Sequence, residues 1–217
     1  MSKRVFMGGE KGGSTKTTMA HLICLGATLR NQPADYLLID PRRELKDKGR
    51  PYSVLDGRAP VRLAQILEIS RNTGNGWLII DGGGNRPAFD EEMAAEADLT
   101  LLPFRDSEED LEAAQRGLTT YPQALAWPAA WQTNLLAQES AKGLIDALSQ
   151  AFPGRILLPP VYFVNSAKEL LAETLTTTST PTRREARRAF DIMAACFEAH
   201  AAQKKKTKSA GQIRAVA

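Results

Sequence analysis

The chain has few of the side chains that build disulfide frameworks and transition-metal centres. Its 217 residues include only two cysteines and two histidines. Cys24 and Cys196 lie far apart in apolar helical patterns, and His21 and His200 are equally distant from each other. We therefore expect buried free thiols in a reducing cytoplasm, with no disulfide and no metal site formed by the cysteines, and structural rather than catalytic histidines.

Long apolar runs are also missing, since a membrane-spanning helix takes about 20 apolar residues. The N-terminus enters a strand pattern at once, without the regions of a signal peptide. Hydrophobic residues make up 43% of the chain, enough for a core, and the net charge is only +3. We expect one domain over residues 1–202, followed by a basic, disordered tail over 203–217 that lacks acids.

Short apolar runs alternate with helical patterns. The runs at 5–7, 36–40, 77–81 and 99–103 lack polar alternation, which is typical of parallel strands buried on both faces. Helical patterns cover 61–69, 89–97, 108–118, 141–152 and 181–202, and one more strand is expected within 155–164. Residues 41–60 are polar and rich in turn formers. This order predicts an α/β fold, a mostly parallel doubly wound sheet with helices on both faces.

A glycine-rich loop joins the first strand to the first helical pattern. Glycines let the backbone wrap a polyphosphate, and the following helix N-terminus adds partial positive charge. Lys16 would reach the terminal phosphates, and the Thr17 hydroxyl would hold Mg²⁺. The alternative is a glycine-rich turn that binds nothing. The candidate nucleotide contacts are Gly9, Glu10, Lys11, Gly12, Gly13, Ser14, Thr15, Lys16, Thr17 and Thr18.

The loop departs from the ordinary phosphate-loop pattern, because Glu10 and Thr15 occupy its two glycine positions. The pattern that fits is K-G-G-x-x-K-[ST], from Lys11 to Thr17. It resembles the deviant loop of the ParA/MinD branch of P-loop ATPases. The resemblance covers residues 5–118 well and the second half only in general pattern. Thr15 stands where that family usually has glycine, so it must adopt the backbone conformation that the glycine provides.

The resemblance implies ATP and Mg²⁺ as ligands and an ATP-dependent sandwich homodimer. Lys11 would touch the phosphates held by the partner subunit, so the catalytic set would be Lys11, Lys16 and Asp40. Base recognition would come from the second half of the chain, near the last strand, with Pro159, Pro160 and Val161 as candidates.

Two acids end buried strands, Asp40 before Pro41 and Asp81 before three glycines. Ligands of open α/β sheets lie beyond these strand ends, where carboxylates can hold a metal and orient water. By resemblance, Asp40 positions water and Mg²⁺, and Asp81 is the Walker B acid, so the metal set is Thr17, Asp40 and Asp81. Either acid could instead be a turn or cap residue.

Glycine and serine patterns follow the acids. Gly82, Gly83 and Gly84 could form a flexible switch that responds to the γ-phosphate. The segment from Pro103 through Ser107 to Asp110 resembles the family's P-x-x-x-S-x-x-D, which we expect at the dimer face.

Basic residues are concentrated near the C-terminus. Helical spacing predicts one face for Arg183, Arg184, Arg187 and Arg188, and Lys204, Lys205 and Lys206 follow in the tail. ParA-like ATPases bind DNA non-specifically through basic residues in this region, so the resemblance implies DNA binding here. The alternative is a solvated helix and a solubilising tail. The tail has too few apolar residues to insert into a membrane. A second basic cluster comprises Arg42, Arg43, Lys46 and Arg50.

The resulting hypothesis is a small ParA-like ATPase that partitions or positions plasmid or chromosomal DNA. A partner protein or DNA-binding adaptor would stimulate its slow hydrolysis, and the protein would be cytoplasmic and nucleoid-associated. An alternative is a nucleotide-dependent scaffold that recruits a conjugation or secretion complex with little turnover. A ligase on the same fold remains open but would not explain the basic tail.

Overall fold

Six parallel strands form one sheet in the order β3-β2-β4-β1-β5-β6. The computed structural model describes residues 1–10, 15–72, 74–84 and 86–214, and from 203 onward only the course of the backbone. Neighbouring strands pair in parallel throughout these residues. The strands are β1 (Lys3–Met7), β2 (Ala34–Leu38), β3 (Ser53–Asp56), β4 (Trp77–Asp81), β5 (Leu99–Phe104) and β6 (Leu125–Pro128).

Helices cover both faces of this sheet, and alternate residues of each central strand supply the two cores. In β1, Val5 and Met7 join the cluster under α1 and α6, whereas Phe6 joins the cluster under α2 and α3. The fold class predicted from the sequence is therefore confirmed. The helices are α1 (Lys16–Thr28), α2 (Pro60–Asn72), α3 (Pro87–Glu96), α4 (Glu108–Thr120), α5 (Leu135–Ala151) and α6 (Thr180–Arg214), with a 3-10 helix at Asn165–Leu171.

The first and last helices approach each other closely at Gly26 of α1. A Cβ atom at this position would lie 2.1 Å from the carbonyl oxygen of Ala186 and 2.6 Å from Cβ of Phe190. Phe190 in turn packs edge-on against Trp77 of β4, with ring centroids 5.4 Å apart. The absence of a side chain at Gly26 thus lets α6 lie against α1, the helix that carries the phosphate loop.

The two edge strands were not predicted. β3 lies in the polar segment 41–60, and β6 contains Trp127 and ends on Pro128. An edge strand needs fewer buried apolar residues than a central one, and it tolerates proline. The strand expected within 155–164 is wrong, because this segment makes only isolated bridges, from Ile156 to Ala126 and from Tyr162 to Trp131. Its two prolines have no N–H to donate to a ladder.

The last helix is longer than expected. We predicted a helix end at Ala202, but α6 continues through Arg214. Lysine, glutamine and alanine are good helix formers, which explains the continuation. The disorder expected over 203–217 stays a prediction. Residues 215–217 lie outside the described residues. Among the helices described here, none is both long and apolar enough to span a bilayer.

Candidate nucleotide and metal site

The predicted loop lies at the carboxyl edge of the central strands. β1 ends at Met7 beside Asp81 of β4, and α1 begins at Lys16, so the described ends of the loop, residues 8–10 and Thr15, lie at this edge. Lys11, Gly12, Gly13 and Ser14 lie outside the described residues. Gly9 has a φ of +124°, and Glu10 accepts a 3.1 Å hydrogen bond from Arg116 Nε of α4. The loop position agrees with the expectation that ligands bind beyond strand ends.

Thr15, which stands where the ParA/MinD family usually has glycine, adopts a left-handed backbone conformation. Its φ is +66° and its ψ is +6°, and its carbonyl accepts the first hydrogen bond of α1 from the Met19 amide, at 2.8 Å. A β-branched residue in this region carries about 1–2 kcal/mol of backbone strain, which glycine would avoid. The protein therefore stores strain at the junction of loop and helix.

Thr17 and Asp81, two residues of the predicted metal set, are hydrogen-bonded to each other. Thr17 Oγ1 donates to Asp81 Oδ2 at 2.8 Å, and the Tyr36 hydroxyl donates to the same oxygen at 2.6 Å. Burial raises the pKa of Asp81, and these two hydrogen bonds partly offset the effect. Asp81 Oδ1 is buried and has no hydrogen-bond partner among the described residues. A hydroxyl and an unsatisfied carboxylate oxygen are hard oxygen ligands, so the residues fit Mg²⁺.

Among the described residues there is no group of three or more His, Cys, Asp or Glu side chains that would hold a metal ion. A metal held here by protein would thus have few protein ligands. This matches Mg²⁺, which usually keeps several waters and is completed by substrate phosphates.

Lys16 is buried in the first turn of α1 and surrounded by acids. Burial lowers the pKa of Lys16, while the charges of Asp81, Asp90 and Asp40 act in the opposite direction. A buried ammonium at a helix N-terminus is suited to bind the terminal phosphates of a nucleotide.

Asp40 follows β2 by two residues and is held by the arginines after it. The backbone and the Nε atom of Arg42 both donate to Asp40 Oδ1 at 3.1 Å, and Arg43 Nε lies 3.6 Å from Oδ2. Burial acts to raise the pKa of Asp40, but the hydrogen bonds from Arg42 and the charges of Arg42 and Arg43 hold it below its ordinary value. Asp40 is therefore ionised and oriented near neutral pH, as a water-positioning carboxylate must be.

The glycines after β4 pack against this carboxylate and against the loop. A Cβ at Gly83 would lie 2.9 Å from Cγ of Asp40, and Arg42 Nη2 donates to the Gly83 carbonyl at 2.7 Å. Gly84 has a φ of +66°, and a Cβ there would lie 3.4 Å from Lys16 Nζ. Gly83 thus comes this close to Asp40 only because it lacks a side chain, and Gly84 has the positive φ that glycine adopts readily. The role of these glycines as a switch stays a prediction.

Asp90 is a site residue that sequence reasoning missed. It lies in the first turn of α3, is 2% exposed, and has an Oδ1 atom without a hydrogen-bond partner in the described part of the chain. Burial raises the pKa of Asp90 to about 6, although the charges of Arg86 and Lys16 oppose this. Nothing in the local sequence separates Asp90 from the adjacent Glu91 and Glu92, which are exposed.

The raised pKa of Asp90 predicts a pH-dependent stability. The folded protein holds this proton more tightly than the unfolded chain, so stability falls as pH rises from about 4 to about 6. The difference from the ordinary 3.8 corresponds to about 3 kcal/mol. The free energy of unfolding of Asp90→Asn should therefore rise relative to that of the wild type by this amount as the pH increases from about 4 to about 7. Urea denaturation across that range measures it, and a constant difference between the two proteins would contradict it.

A cavity of about 280 Å³ opens beside the loop. Thr15 and Thr18 line one side of it, and Val161 and Asn165 line the other. Val161 lines this cavity and Pro159 does not, and the Pro159 carbonyl accepts a 3.1 Å hydrogen bond from Trp127 Nε1. Base recognition by either residue stays a prediction. Asn165 was missed, and its amide can both donate to and accept from a base edge.

The serine motif builds a helix cap. Ser107 Oγ accepts a 3.2 Å hydrogen bond from the Asp110 amide at the start of α4, and Arg105 Nε donates to Asp110 Oδ2 at 2.8 Å. Capping explains the serine and acid spacing without a nucleotide. A role of this segment at a dimer face stays a prediction.

The C-terminal arginines do not all face solvent. Arg183 and Arg184 are exposed and Arg187 is half-buried, but Arg188 donates to Glu185 Oε1 at 2.6 Å and to the Pro160 carbonyl at 2.8 Å. The Arg188 guanidinium also lies 4.5 Å from the centroid of the Tyr162 ring. Helical spacing predicted the shared helix face but not these neighbours, and the role of Arg188 in DNA binding stays a prediction. The side chains of Lys204, Lys205 and Lys206 lie outside the described residues.

The second basic cluster is also engaged within the fold. Lys46 Nζ donates to the Leu171 carbonyl at 2.9 Å, and Arg50 Nη2 donates to the Leu170 carbonyl at 3.1 Å. These bonds tie the segment after β2 to the end of the 3-10 helix. Arg42 and Arg43 also pair with Asp40, but both side chains remain exposed. The cluster therefore combines internal contacts with an exposed basic surface.

Comparisons with known proteins find a shared fold. No protein-family model matches the chain, and no curated protein matches it in sequence. McdA from Cyanothece, in its apo form, has a TM-score of 0.63 at 17% identity, over 88% of this chain and 98% of that one. A plasmid partition protein from Borrelia burgdorferi bound to AMPPNP has 0.62 at 11%, over 90% and 99%. The MinD cell division protein from Aquifex aeolicus has 0.65 at 12%, over 89% and 97%.

These structures share their fold with this chain over 88–90% of its length. The chain has the fold of the ParA/MinD-type P-loop ATPases.

Proposed function

We propose that the protein is a ParA-like ATPase that binds ATP and Mg²⁺ and partitions or positions DNA. The observation that carries the proposal is the meeting of Thr17 with Asp81, beside the buried Lys16, at the carboxyl edge of the sheet. Two proteins with a similar fold add support. One is a plasmid partition protein bound to AMPPNP, and the other is a cell division protein.

The residues have separate roles in this proposal. Lys16 binds the terminal phosphates, while Thr17 and Asp81 hold Mg²⁺, which neutralises phosphate charge when bound. The ionised Asp40 accepts a hydrogen bond from the attacking water and orients it toward the γ-phosphate. The base occupies the cavity lined by Val161 and Asn165. Because Lys16 is buried, its ammonium acts on the phosphates with little screening by solvent.

The protein would act as a switch through dimerisation. ATP bridges two subunits, with Lys11 of each reaching the phosphates bound by the other, and the dimer binds DNA without sequence preference. A partner protein or DNA-binding adaptor stimulates hydrolysis, after which the subunits separate and release DNA. The protein is then cytoplasmic and associated with the nucleoid.

The exposed arginines at the start of α6 are the residues with which the proposed DNA binding can be tested. Arg183→Ala with Arg184→Ala should weaken ATP-dependent binding equally for all DNA sequences, because phosphate contacts carry no sequence information. The slope of log affinity against log salt should fall by about 2, close to one per lost contact. Fluorescence anisotropy with labelled duplexes measures this.

A matched control removes the same charge elsewhere. Arg62 of α2 and Lys142 of α5 are both exposed, so Arg62→Ala with Lys142→Ala should leave the slope unchanged. Equal slopes for the wild type and the Arg183 and Arg184 variant would move the DNA surface away from α6.

The alternative function is a nucleotide-dependent scaffold with little turnover. The strained Thr15 favours it, since the site departs from the family at the junction of loop and helix. Hydrolysis that neither DNA nor a partner protein stimulates would support the scaffold, and DNA-stimulated hydrolysis would support the ATPase.

A further inference from the structure

Asp81 is held through only one of its oxygens. Thr17 and Tyr36 both donate to Oδ2, at 2.8 and 2.6 Å, and Oδ1 has no hydrogen-bond partner among the described residues. When hydrogen bonds engage only one oxygen of a carboxylate, the lone pairs of the other oxygen remain available to a ligand. The two donors therefore set the orientation of Asp81 and leave Oδ1 available.

The two donors belong to different parts of the fold. Thr17 is part of the phosphate loop and α1, so its replacement disturbs phosphate binding directly. Tyr36 lies in the middle of β2, and the strand pairing sets it beside Ile79 of β4, two residues before Asp81. Tyr36 thus acts on Asp81 from outside the loop, through a single hydroxyl.

The ring of Tyr36 is itself held in place by stacking against another buried ring. Its ring stacks on His21 of α1, with centroids 4.0 Å apart and planes 11° from parallel. His21 Nδ1 lies 2.9 Å from the hydroxyl of Tyr52, and all three rings are buried. Burial, together with nearby positive charges including that of Arg50, lowers the pKa of His21 to about 3, so the ring is neutral. The stack restricts the Tyr36 ring and hence the place of its hydroxyl.

We propose that Tyr36 is a positioning residue of the metal site, which orients Asp81 for Mg²⁺ through Oδ2 and is held in place by His21. This inference rests on the proposed ATP and Mg²⁺ site. Hydrogen-bond partners of metal ligands fix ligand orientation, and their loss typically weakens metal affinity about 10–100-fold.

The test is Tyr36→Phe, which keeps the ring and its stack but removes the donor. A fluorescent ATP analogue is titrated with Mg²⁺, and its binding is also measured in EDTA. The Mg²⁺ concentration at half-maximal binding should rise about tenfold or more, while the affinity in EDTA stays within about twofold. Structural damage to the loop would instead weaken both.

Two further variants separate positioning from packing. Tyr52→Phe removes the hydroxyl at the far end of the stack and should leave the Mg²⁺ midpoint unchanged. His21→Leu removes the stacking partner but keeps the donor, and should raise the midpoint by less than Tyr36→Phe does. If thermal melting shows that Tyr36→Phe is unfolded, the Mg²⁺ midpoint of His21→Leu tests the inference instead. A raised midpoint supports the role of Tyr36, and an unchanged midpoint contradicts it.

Two results would overturn the inference in distinguishable ways. A wild-type protein that binds the analogue with Mg²⁺ dependence, and variants of Tyr36 and His21 with unchanged midpoints, would refute the role of Tyr36 alone. A wild-type protein that does not bind the analogue at all would refute the nucleotide site and, with it, the inference.

Discussion

Lys16→Ala is expected to weaken ATP binding by roughly a hundredfold or more. The Lys16 ammonium is buried at the start of α1, and the charges of Asp81, Asp90 and Asp40 act on it. Without it, the site keeps its acids and loses the cation that attracts the phosphates. Loss of a buried charged contact costs about 3 kcal/mol or more, which is roughly a hundredfold in affinity.

Isothermal titration with ATP and Mg²⁺ measures this effect. Lys142→Ala is the matched control, because Lys142 is exposed on α5, and it should bind as the wild type does. Thermal melting checks that Lys16→Ala is folded. Binding by folded Lys16→Ala within a few-fold of the wild type would place the phosphates elsewhere.

Of the single substitutions proposed, Gly26→Ala is expected to lower the free energy of unfolding most. Its Cβ would lie 2.1 Å from the carbonyl oxygen of Ala186, a backbone atom that cannot swing aside as a side chain would. The two helices must therefore separate, which also disturbs Phe190 and its contact with Trp77. Overpacking typically costs 1–3 kcal/mol, and a clash with backbone lies at the upper end, so we expect about 3 kcal/mol.

Gly143→Ala provides an internal control for this prediction. Gly143 is exposed in α5, and a Cβ there would have no atom within 4 Å. Alanine should therefore stabilise the protein by about 1 kcal/mol through helix propensity alone. Chemical denaturation of both variants gives the comparison, and a neutral or stabilising Gly26→Ala would refute the close approach of α1 and α6.

The sequence predicted the features that depend on local pattern. Buried parallel strands show as apolar runs, so the four central strands could be found. Because parallel strands end at one edge, the placement of Asp81 beside the loop followed from its position at a strand end. The left-handed conformation of Thr15 followed from the glycine that it replaces.

The remaining features depend on tertiary packing and have no local signal. Helical spacing places Arg188 on a helix face, but only the fold brings it to the Pro160 carbonyl. Tyr36 looks like any aromatic residue of a buried strand until β2 lies beside β4. Asp90 is one of three consecutive acids, and burial of α3 selects it. The edge strands were missed because β3 lies in a polar, turn-rich segment and β6 is only four residues long and ends on a proline.

The central claim is that ATP is shared between two subunits, and light scattering of the wild type and Lys11→Ala tests it most directly. With saturating ATP and Mg²⁺ the wild type should be a dimer, and with ADP a monomer. Lys11→Ala should still bind ATP, because Lys16 is intact, but should remain a monomer. A wild type that stays monomeric with ATP, or a Lys11→Ala variant that dimerises equally well, would contradict the claim.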